Sequence, residues 1–530
     1  MHLKIHGLND TNQGVFREYP TLGLSIDLTS SGLDWGEVER KLGTRIERAI
    51  VAMQELEAGK IANPDENRMV GHYWLRNPRL APTPQIRADI ENTLRQIEVF
   101  AHEVHTGKIA GQTGRFKNLL LIGIGGSSLG PQLAAHALRF STLPRLRFHC
   151  LDNTDPDGMF RTINDIGNEI GQTICIVVSK SGKTKETHNG MVFIKNAFER
   201  AGLAFEKHAV AVTMPQSKLD RYAKENGWLG SFPIWEWVGG RTSFFSAVTL
   251  LPAALMGAPI KELLAGARAC DEATRLHPLN ENPALQLAAT WYWLAEVEKK
   301  HCVAIIPYKD SLEFLSRFLQ QLVMESLGKE MDLDRNVANT GLVVFGNKGS
   351  TDQHSYVQQL RDGINNTFTT FVNLERNTYD LALSENTTIG DYLYGFSIGT
   401  RKALAEKSRR TITVTIHDCS YFSLGAIIGL FERSVGFMAT LLNINAYHQP
   451  GVEAGKLAAE QIVELKNSVC SLLRSNRRIR FAVHEISEQL KYQGSLVVLS
   501  KICDYLSANG RFGIQKVVGK DDLTTRFVAI

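Results

Sequence analysis

The sequence has no surplus of either charge, no CxxC pair, no low-complexity tract and no charged tail, and each absence removes a class of protein. Lysine and arginine number 59 against 55 aspartates and glutamates, a net charge of +4 over 530 residues. That is too weak to make nucleic acid or a membrane the main partner. The seven cysteines (Cys150, Cys175, Cys270, Cys302, Cys419, Cys470 and Cys503) are odd in number and scattered. They signal neither a zinc ribbon nor a disulfide framework, and a reducing compartment fits them best. The N-terminus, MHLKIHGLNDTNQGVF, lacks the basic-then-apolar order of a signal peptide and the Arg/Ser bias of a transit peptide. One uncharged stretch, Thr242 to Ile260, is long enough to raise the question of a membrane span. It carries Pro252, Pro259 and several hydroxyls, and predicts instead a buried core helix with a proline-marked end. A soluble, cytoplasmic protein is expected.

What is present is a globular composition, 43% apolar and 22% charged, on a chain too long for one hydrophobic core. The first hundred or so residues read as mostly helical, with WGEVERKLGTRIERAIVAMQEL the clearest amphipathic run. From residue 117 the pattern changes. LLLIGIG (119–125), RLRFHCLD (145–152), TICIVVSK (173–180) and HAVAVT (208–213) are short apolar runs separated by helix-compatible segments, with a helix expected from Pro131. The scheme restarts with CVAIIPY (302–308), GLVVFG (341–346), TFTTFVNLE (367–375) and TITVTIHD (411–418). Buried strands alternating with helices predict two doubly wound, parallel-sheet α/β domains. The expected division is a mostly helical region 1–112, α/β domains 113–285 and 286–490, and an extension 491–530. Ligands in such sheets bind beyond the carboxyl ends of the strands.

Two of those strand ends are suited to a phosphate. Gly123-Ile124-Gly125-Gly126-Ser127-Ser128-Leu129-Gly130 brings backbone N–H groups and a helix start together. The dinucleotide fingerprint needs a third glycine where Ser128 stands, and the same loop also reads as a plain tight turn. Ser179-Lys180-Ser181-Gly182-Lys183-Thr184 follows the strand TICIVV. A nucleotide P-loop needs glycine at 177, which is valine. What remains is a cage of hydroxyls and lysines at a helix start, fit for a phosphomonoester, or a solvated, Ser-capped helix start.

For proton transfer, SLEFLSRFLQQLVMESLGK (311–329) is an amphipathic helix with Gln321 and Glu325 on one face, continued by Phe314 and Phe318. Glu325 at the edge of a partly apolar site would be desolvated toward a useful base; alternatively Glu325 and Lys329 form an ordinary surface i,i+4 pair. His354 stands at the start of a helix-like run. Arg241, in WVGGRTSFFS, is the only charge between Glu236 and Lys261, and so isolated an arginine calls for an anion or a carboxylate. Gln449 and Lys456 flank the Pro-Gly break in NAYHQPGVEAGK and could reach a common polar site, while Glu453 and Lys456 could equally form an i,i+3 surface pair.

In this order, IGIGGSSLGP (122–131), SKSGKTKET (179–187), VGGRTSFFSA (238–247), LQQLVMESLGK (319–329), GSTDQHSYVQQLRDG (349–363) and YHQPGVEAGK (447–456) resemble the glucose-6-phosphate isomerase family. The resemblance spans most of residues 117–465. It implies two sugar-isomerase (SIS-type, flavodoxin-like) domains, a homodimer with a shared active site, and aldose–ketose isomerisation of a phosphosugar with neither metal nor cofactor. By the same resemblance Gly126, Ser127 and Gly240 would line the sugar, and Ser179, Lys180, Ser181 and Thr184 would hold the 6-phosphate. Glu325 would carry the proton between C2 and C1 with Gln321 nearby, and Arg241 would face the enediolate. His354, from the neighbouring subunit, and Lys456 would serve ring opening, with Gln449 contacting phosphate and sugar. Tyr447-His448 and Thr242 depart from the family's commoner Phe-Asp and Tyr or Phe. Two rivals remain at this point: a phosphosugar-binding regulator without catalysis, and a dinucleotide oxidoreductase with Asp152 on the ribose.

Overall fold

The computed structural model describes residues 15–138, 144–275, 279–521 and 524–530; the signal-peptide reading concerns residues 1–14, outside the described residues. The chain forms two compact units, one ending at His448 and one spanning Gln449–Ile530.

The first unit opens with two strands, β1 (Phe16–Tyr19) and β2 (Leu24–Asp27), paired antiparallel around a turn at Gly23. Helix α1 (Trp35–Glu57) starts at Asp34, whose carboxylate accepts from the N–H groups of Gly36 and Glu37. It buries Val38, Leu42, Ile46, Ala49 and Met53, a stripe at helical spacing. Helix α2 (Pro84–Thr106) is capped by Thr83 and closed by the left-handed Gly107. The N-terminal region therefore adds short strands, these two and the pair Ile61–Asn63 and Arg68–Met69, to its expected helices.

The first sheet contains β3 (Asn118–Ile122), β4 (Arg147–Leu151), β5 (Thr173–Val178), β6 (Ala209–Thr213) and β7 (Gly230–Pro233), all parallel, in the order β4-β3-β5-β6-β7. Numbered along the chain this is 2-1-3-4-5, the flavodoxin-like order. Strands β3, β5 and β6 are buried at every residue, which is why they read as unbroken apolar runs rather than alternations. The second sheet repeats the plan with β8 (Cys302–Pro307), β9 (Val343–Phe345), β10 (Thr367–Leu374) and β11 (Thr411–Ile416), ordered β9-β8-β10-β11, again 2-1-3-4. Its fifth place goes to β2, antiparallel to β11 with Ile26 opposite Val414. All eight expected strands form, and the α/β reading with parallel sheets holds.

Three helix expectations are corrected. Helix α3 (Gly126–Leu138) begins at the glycines, before Pro131, which lies inside it; the first turn needs no intrahelical donors, so small residues serve there. The buried helix expected over Thr242–Ile260 is only α4 (Ala247–Leu255), buried throughout; Pro259 instead precedes α5 (Ile260–Ala273). The run 311–329 is a short α-helix, α6 (Glu313–Leu319), that widens into a π-turn over Gln320–Glu325.

Among the described residues one helix, α7 (Tyr421–Leu441), is long and apolar enough to cross a membrane, and 94% of its apolar window is buried inside the protein. It carries Glu432 and Arg433 into a buried ionic cluster. Arg76 pairs with Asp271 at 2.6 Å and with Glu432, while Arg433 pairs with Glu57 at 2.6 Å. The second unit has its own small core, with Val469 and Leu473 of α8 (Pro450–Ser475) packed with Ile486, Leu499, Cys503 and Phe527.

Candidate functional site

Strands β3 and β5 are neighbours, and their crossovers leave in opposite directions, so the loops that follow them face each other at the topological switch point. Both are the loops singled out in the sequence. Gly125 is left-handed (φ +62°), and a Cβ there would come within 3.2 Å of the Gln321 amide nitrogen. At Gly126 the approach is closer still: a Cβ would lie 2.1 Å from the carbonyl oxygen of Gly240. Ser243 donates its hydroxyl to the carbonyls of Gly240 (2.7 Å) and Gly126 (3.3 Å). The glycine loop, the segment leading to Arg241 and the π-turn of Gln321 and Glu325 thus meet in one place.

In the second loop Ser179 is buried and donates to the Thr184 hydroxyl (3.1 Å), while the N–H of Lys183 donates to the Ser181 hydroxyl (3.2 Å). No side chain caps the helix Lys185–Arg200 that begins after Thr184, which leaves its positive end to an anion. Lys183 and Lys185 are exposed. Lys180 is not a free cation in water: its ammonium donates to the main-chain carbonyls of Glu236 and Val238, both at 2.8 Å. Burial, with Arg68 adding repulsion, brings Lys180 down to about 8. Its side chain ties the phosphate-type loop to the segment that carries Gly240 and Arg241.

Arg241, 4% exposed, finds the carboxylate that its isolation called for: Glu325, with Nη1 to Oε2 at 3.3 Å. Its Nε donates to Ser326 Oγ (2.7 Å), and Nη2 to the carbonyls of Ala446 and of His448 (3.3 Å). Five donors in a rigid fork suit one arginine to all of these. The surface Glu325–Lys329 pair does not form. Lys329 is buried and donates to the main-chain carbonyls of Glu325 (2.6 Å) and His448 (3.1 Å). Arg68 holds the carbonyls of Tyr447 (3.2 Å) and Glu236 (3.0 Å). Three consecutive carbonyls, 446 to 448, are therefore gripped by Arg241, Arg68 and Lys329. Sequence reasoning missed Arg68, Ser326 and Lys329 as parts of this site; the only signal was a lysine one residue past the helix-ending Gly328.

The expected continuation of the Glu325 face by Phe314 and Phe318 is divided. Phe318 packs on Phe244, and Phe314 lies against His136. His354 is exposed on the turn Thr351–His354 and makes no side-chain hydrogen bond among the described residues. That turn is anchored by buried Asp352, which accepts from the Asn347 N–H (2.9 Å) and the Tyr356 hydroxyl. Gln449 and Lys456 belong to the second unit, at the N-cap and in the second turn of α8. Asp152, the rival ribose ligand, accepts from Gln132 at 2.9 Å. Among the described residues no three His, Cys, Asp or Glu side chains gather as a metal cluster.

Comparison with known proteins agrees on one family. The phosphoglucose isomerase model matches residues 38–389 and 400–475. The glucose-6-phosphate isomerase of Geobacter sp. (strain M21) is 49% identical over 500 residues, 94% of each chain. That of Acaryochloris marina is 50% identical over 493 residues, covering 92% of this chain and 93% of the relative. Among solved structures, a glucose-6-phosphate isomerase from Chlamydia trachomatis superposes with a TM-score of 0.76 at 25% identity, over 84% of this chain and 89% of that one. A match this long, over the segments that line the switch point, means that the chain belongs to the phosphoglucose isomerase family.

Proposed function

We propose that this chain interconverts D-glucose 6-phosphate and D-fructose 6-phosphate by ring opening followed by proton transfer between C2 and C1 through a cis-enediolate. The observation that carries the reading is the buried Arg241 guanidinium at 3.3 Å from the Glu325 carboxylate, beside two strand-end loops suited to a phosphosugar. Aldose–ketose exchange needs one carboxylate to take a proton and return it on the same face, and a fixed cation where negative charge develops. Glu325 is the base and Arg241 the cation. Gly126, Ser127, Gly240 and Gln321 line the sugar, and Ser179, Lys180, Ser181 and Thr184 form the phosphate loop, whose grip orients the reacting carbons. Lys456 and His354 open the ring, with Gln449 on the phosphate and sugar.

In this reading the active enzyme is a homodimer and His354 enters the neighbouring site. Its support is an exposed apolar segment: Tyr379, Leu381, Leu383, Tyr392 and Tyr394 are all more than half exposed. The turn that carries His354 is bonded to the helix of that segment, Ile389–Ala405, through Gln353 to the Phe396 carbonyl (3.3 Å) and to Thr400. The four-part division at 112, 285 and 490 belongs to the same proposal; the two sheets at 118–233 and 302–416 support its two middle parts, while the compact unit Gln449–Ile530 spans the boundary at 490. So does a soluble, cytoplasmic setting, which seven free cysteines support; one relative, from Arabidopsis thaliana, is named chloroplastic.

The test is a coupled assay, with fructose 6-phosphate supplied and glucose 6-phosphate read through its dehydrogenase, in the presence of chelator. Turnover is expected, and in Glu325→Gln it should vanish while fructose 6-phosphate still raises the melting temperature. Equal loss of turnover and binding would make Glu325 structural. Binding without turnover in the unaltered chain would favour a sensor.

A further inference from the structure

Lys329 has no part in the proposed chemistry, yet the π-turn and the 446–448 segment converge on its ammonium and the Arg241 guanidinium faces it. Lys329 bonds the carbonyl of Glu325, the last residue of the π-turn, and the carbonyl of His448, which Arg241 also grips. Only 6% of the residue is exposed. Neither partner is a carboxylate, so a cation is kept out of water on two main-chain oxygens, an arrangement that is costly unless it fixes something. What it fixes is the peptide that carries the Glu325 side chain, relative to the 446–448 segment whose carbonyls Arg241 grips.

We propose that Lys329 is a positioning residue for the isomerisation, locking the main chain of Glu325 to the 446–448 segment so that the carboxylate keeps its place beside Arg241. The proposal rests on the reading of Glu325 as the proton-transferring group. Four charged or titratable groups face Lys329: Arg241 from the segment after Gly240, Glu325 from the π-turn, His448 from the 446–448 segment and Asp65 from the N-terminal region. Burial, then repulsion from Arg241, lowers Lys329 to about 8 against the pull of Glu325 and Asp65. A discharged amine makes weaker hydrogen bonds than an ammonium, so alkaline pH loosens the lock. Lys180 is also brought to about 8, but it holds the phosphate loop. Discharge of Lys329 should appear in kcat and discharge of Lys180 in KM.

The experiment uses the full chain and compares Lys329→Met, Lys329→Arg and Glu325→Gln with the parent, recording kcat, KM, melting temperature and the pH profile of kcat. Lys329→Met should lose about tenfold or more in kcat with KM within about twofold, because a base displaced by a fraction of an ångström still leaves the phosphate gripped. Lys329→Arg should recover part of that kcat and move the alkaline limb up by about one pH unit or more, since a guanidinium stays charged. An unchanged kcat in Lys329→Met, or kcat and KM falling together with no recovery by arginine, overturns the proposal. If Lys329→Met does not fold, the alkaline limb of Lys329→Arg decides alone: a shift supports the lock and an unmoved limb overturns it. Full turnover in Glu325→Gln would overturn the base assignment, whereas its loss beside unaffected Lys329 variants would overturn the lock alone.

Discussion

Adding one methyl group at Gly126 tests whether the close approach of two main chains sets the site. The Cβ of Gly126→Ala would stand 2.1 Å from the Gly240 oxygen, 2.2 Å from its carbonyl carbon and 2.9 Å from the Arg241 nitrogen. Carbon–oxygen contacts settle near 3.3 Å, so the loop after β3 and the segment before Arg241 must part by about 1 Å. No flexible side chain stands in the way to yield, since all three atoms are backbone. Gly126 opens α3 without a left-handed φ, so alanine suits the local backbone and the effect is purely steric. Overpacking of this kind costs about 1–3 kcal/mol of stability. The effect on catalysis should be larger, because a displacement of about 1 Å at reacting groups costs on the order of 10²-fold in rate. The expected result is a kcat/KM about 10²-fold down in the coupled isomerase assay, in a protein that still melts cooperatively. Gly43→Ala is the control: nothing lies within 4 Å of its Cβ, inside α1, and it should gain about 0.5–1 kcal/mol with unchanged kinetics. A Gly126→Ala enzyme within about threefold of the parent would refute the claim that this contact aligns sugar, Arg241 and Glu325.

Three further outcomes follow from the same geometry. Lys180→Ala releases the loop 179–184 from the carbonyls of Glu236 and Val238 and should raise KM about tenfold with little change in kcat, the two carbonyls losing charged donors; an unchanged KM would remove Lys180 from the phosphate site. Asp271→Ala takes one carboxylate from the buried guanidinium of Arg76 and, at 3.8 Å, from that of Arg433, leaving them Glu432 and Glu57, and should cost about 3–5 kcal/mol in urea unfolding; less than about 1 kcal/mol would mean that the other carboxylates of the cluster suffice. Burial tends to raise Glu57, but Arg433 and Arg275 outweigh it and hold its carboxyl below the usual glutamate range. Since the folded value is the lower one, its stabilisation is complete above the unfolded value and lost as pH falls through the folded value. Urea midpoints between about pH 6 and about pH 3 should therefore fall more steeply in the parent than in Glu57→Gln; parallel slopes would contradict the pairing.

The sheets were legible because their central strands are buried on both faces and cannot hide as alternations. Each of the eight apolar runs became a strand, and the two successive series of them became the two sheets. The N-terminal hairpin was not legible for the opposite reason. Phe16, Arg17 and Glu18 are exposed, and β2 is recruited as an antiparallel neighbour by β11, at the far end of the second sheet's series. No local period announces a partner so distant in the chain. The π-turn over Gln320–Glu325 escaped for a subtler reason: only Ser326 and Leu327 remain helical after it, too few positions to show that the extra residue has shifted the apolar stripe, so the run still reads as a plain amphipathic helix.

The site divides along the same line. Arg241 was legible through isolation, since a lone charge in an apolar run needs a specific partner, and the partner proved to be the carboxylate singled out separately. Lys180 and Lys329 were read instead by the company they keep in sequence, a cluster of lysines and an i,i+4 glutamate, and both readings missed what the ammonium groups bond. Their acceptors are main-chain carbonyls of Glu236, Val238, Glu325 and His448, groups that every residue possesses and no side-chain letter records. A carbonyl accepts from a cation without the counter-charge that would pull the cation's pKa up, so burial dominates and both lysines come down to about 8. The charge pattern of this chain's site therefore hides two groups whose protonation falls within reach of physiological pH. One ties the proposed phosphate loop to the 236–238 segment and the other ties the proposed base to the 446–448 segment, and their discharge should be read in KM for the first and in kcat for the second.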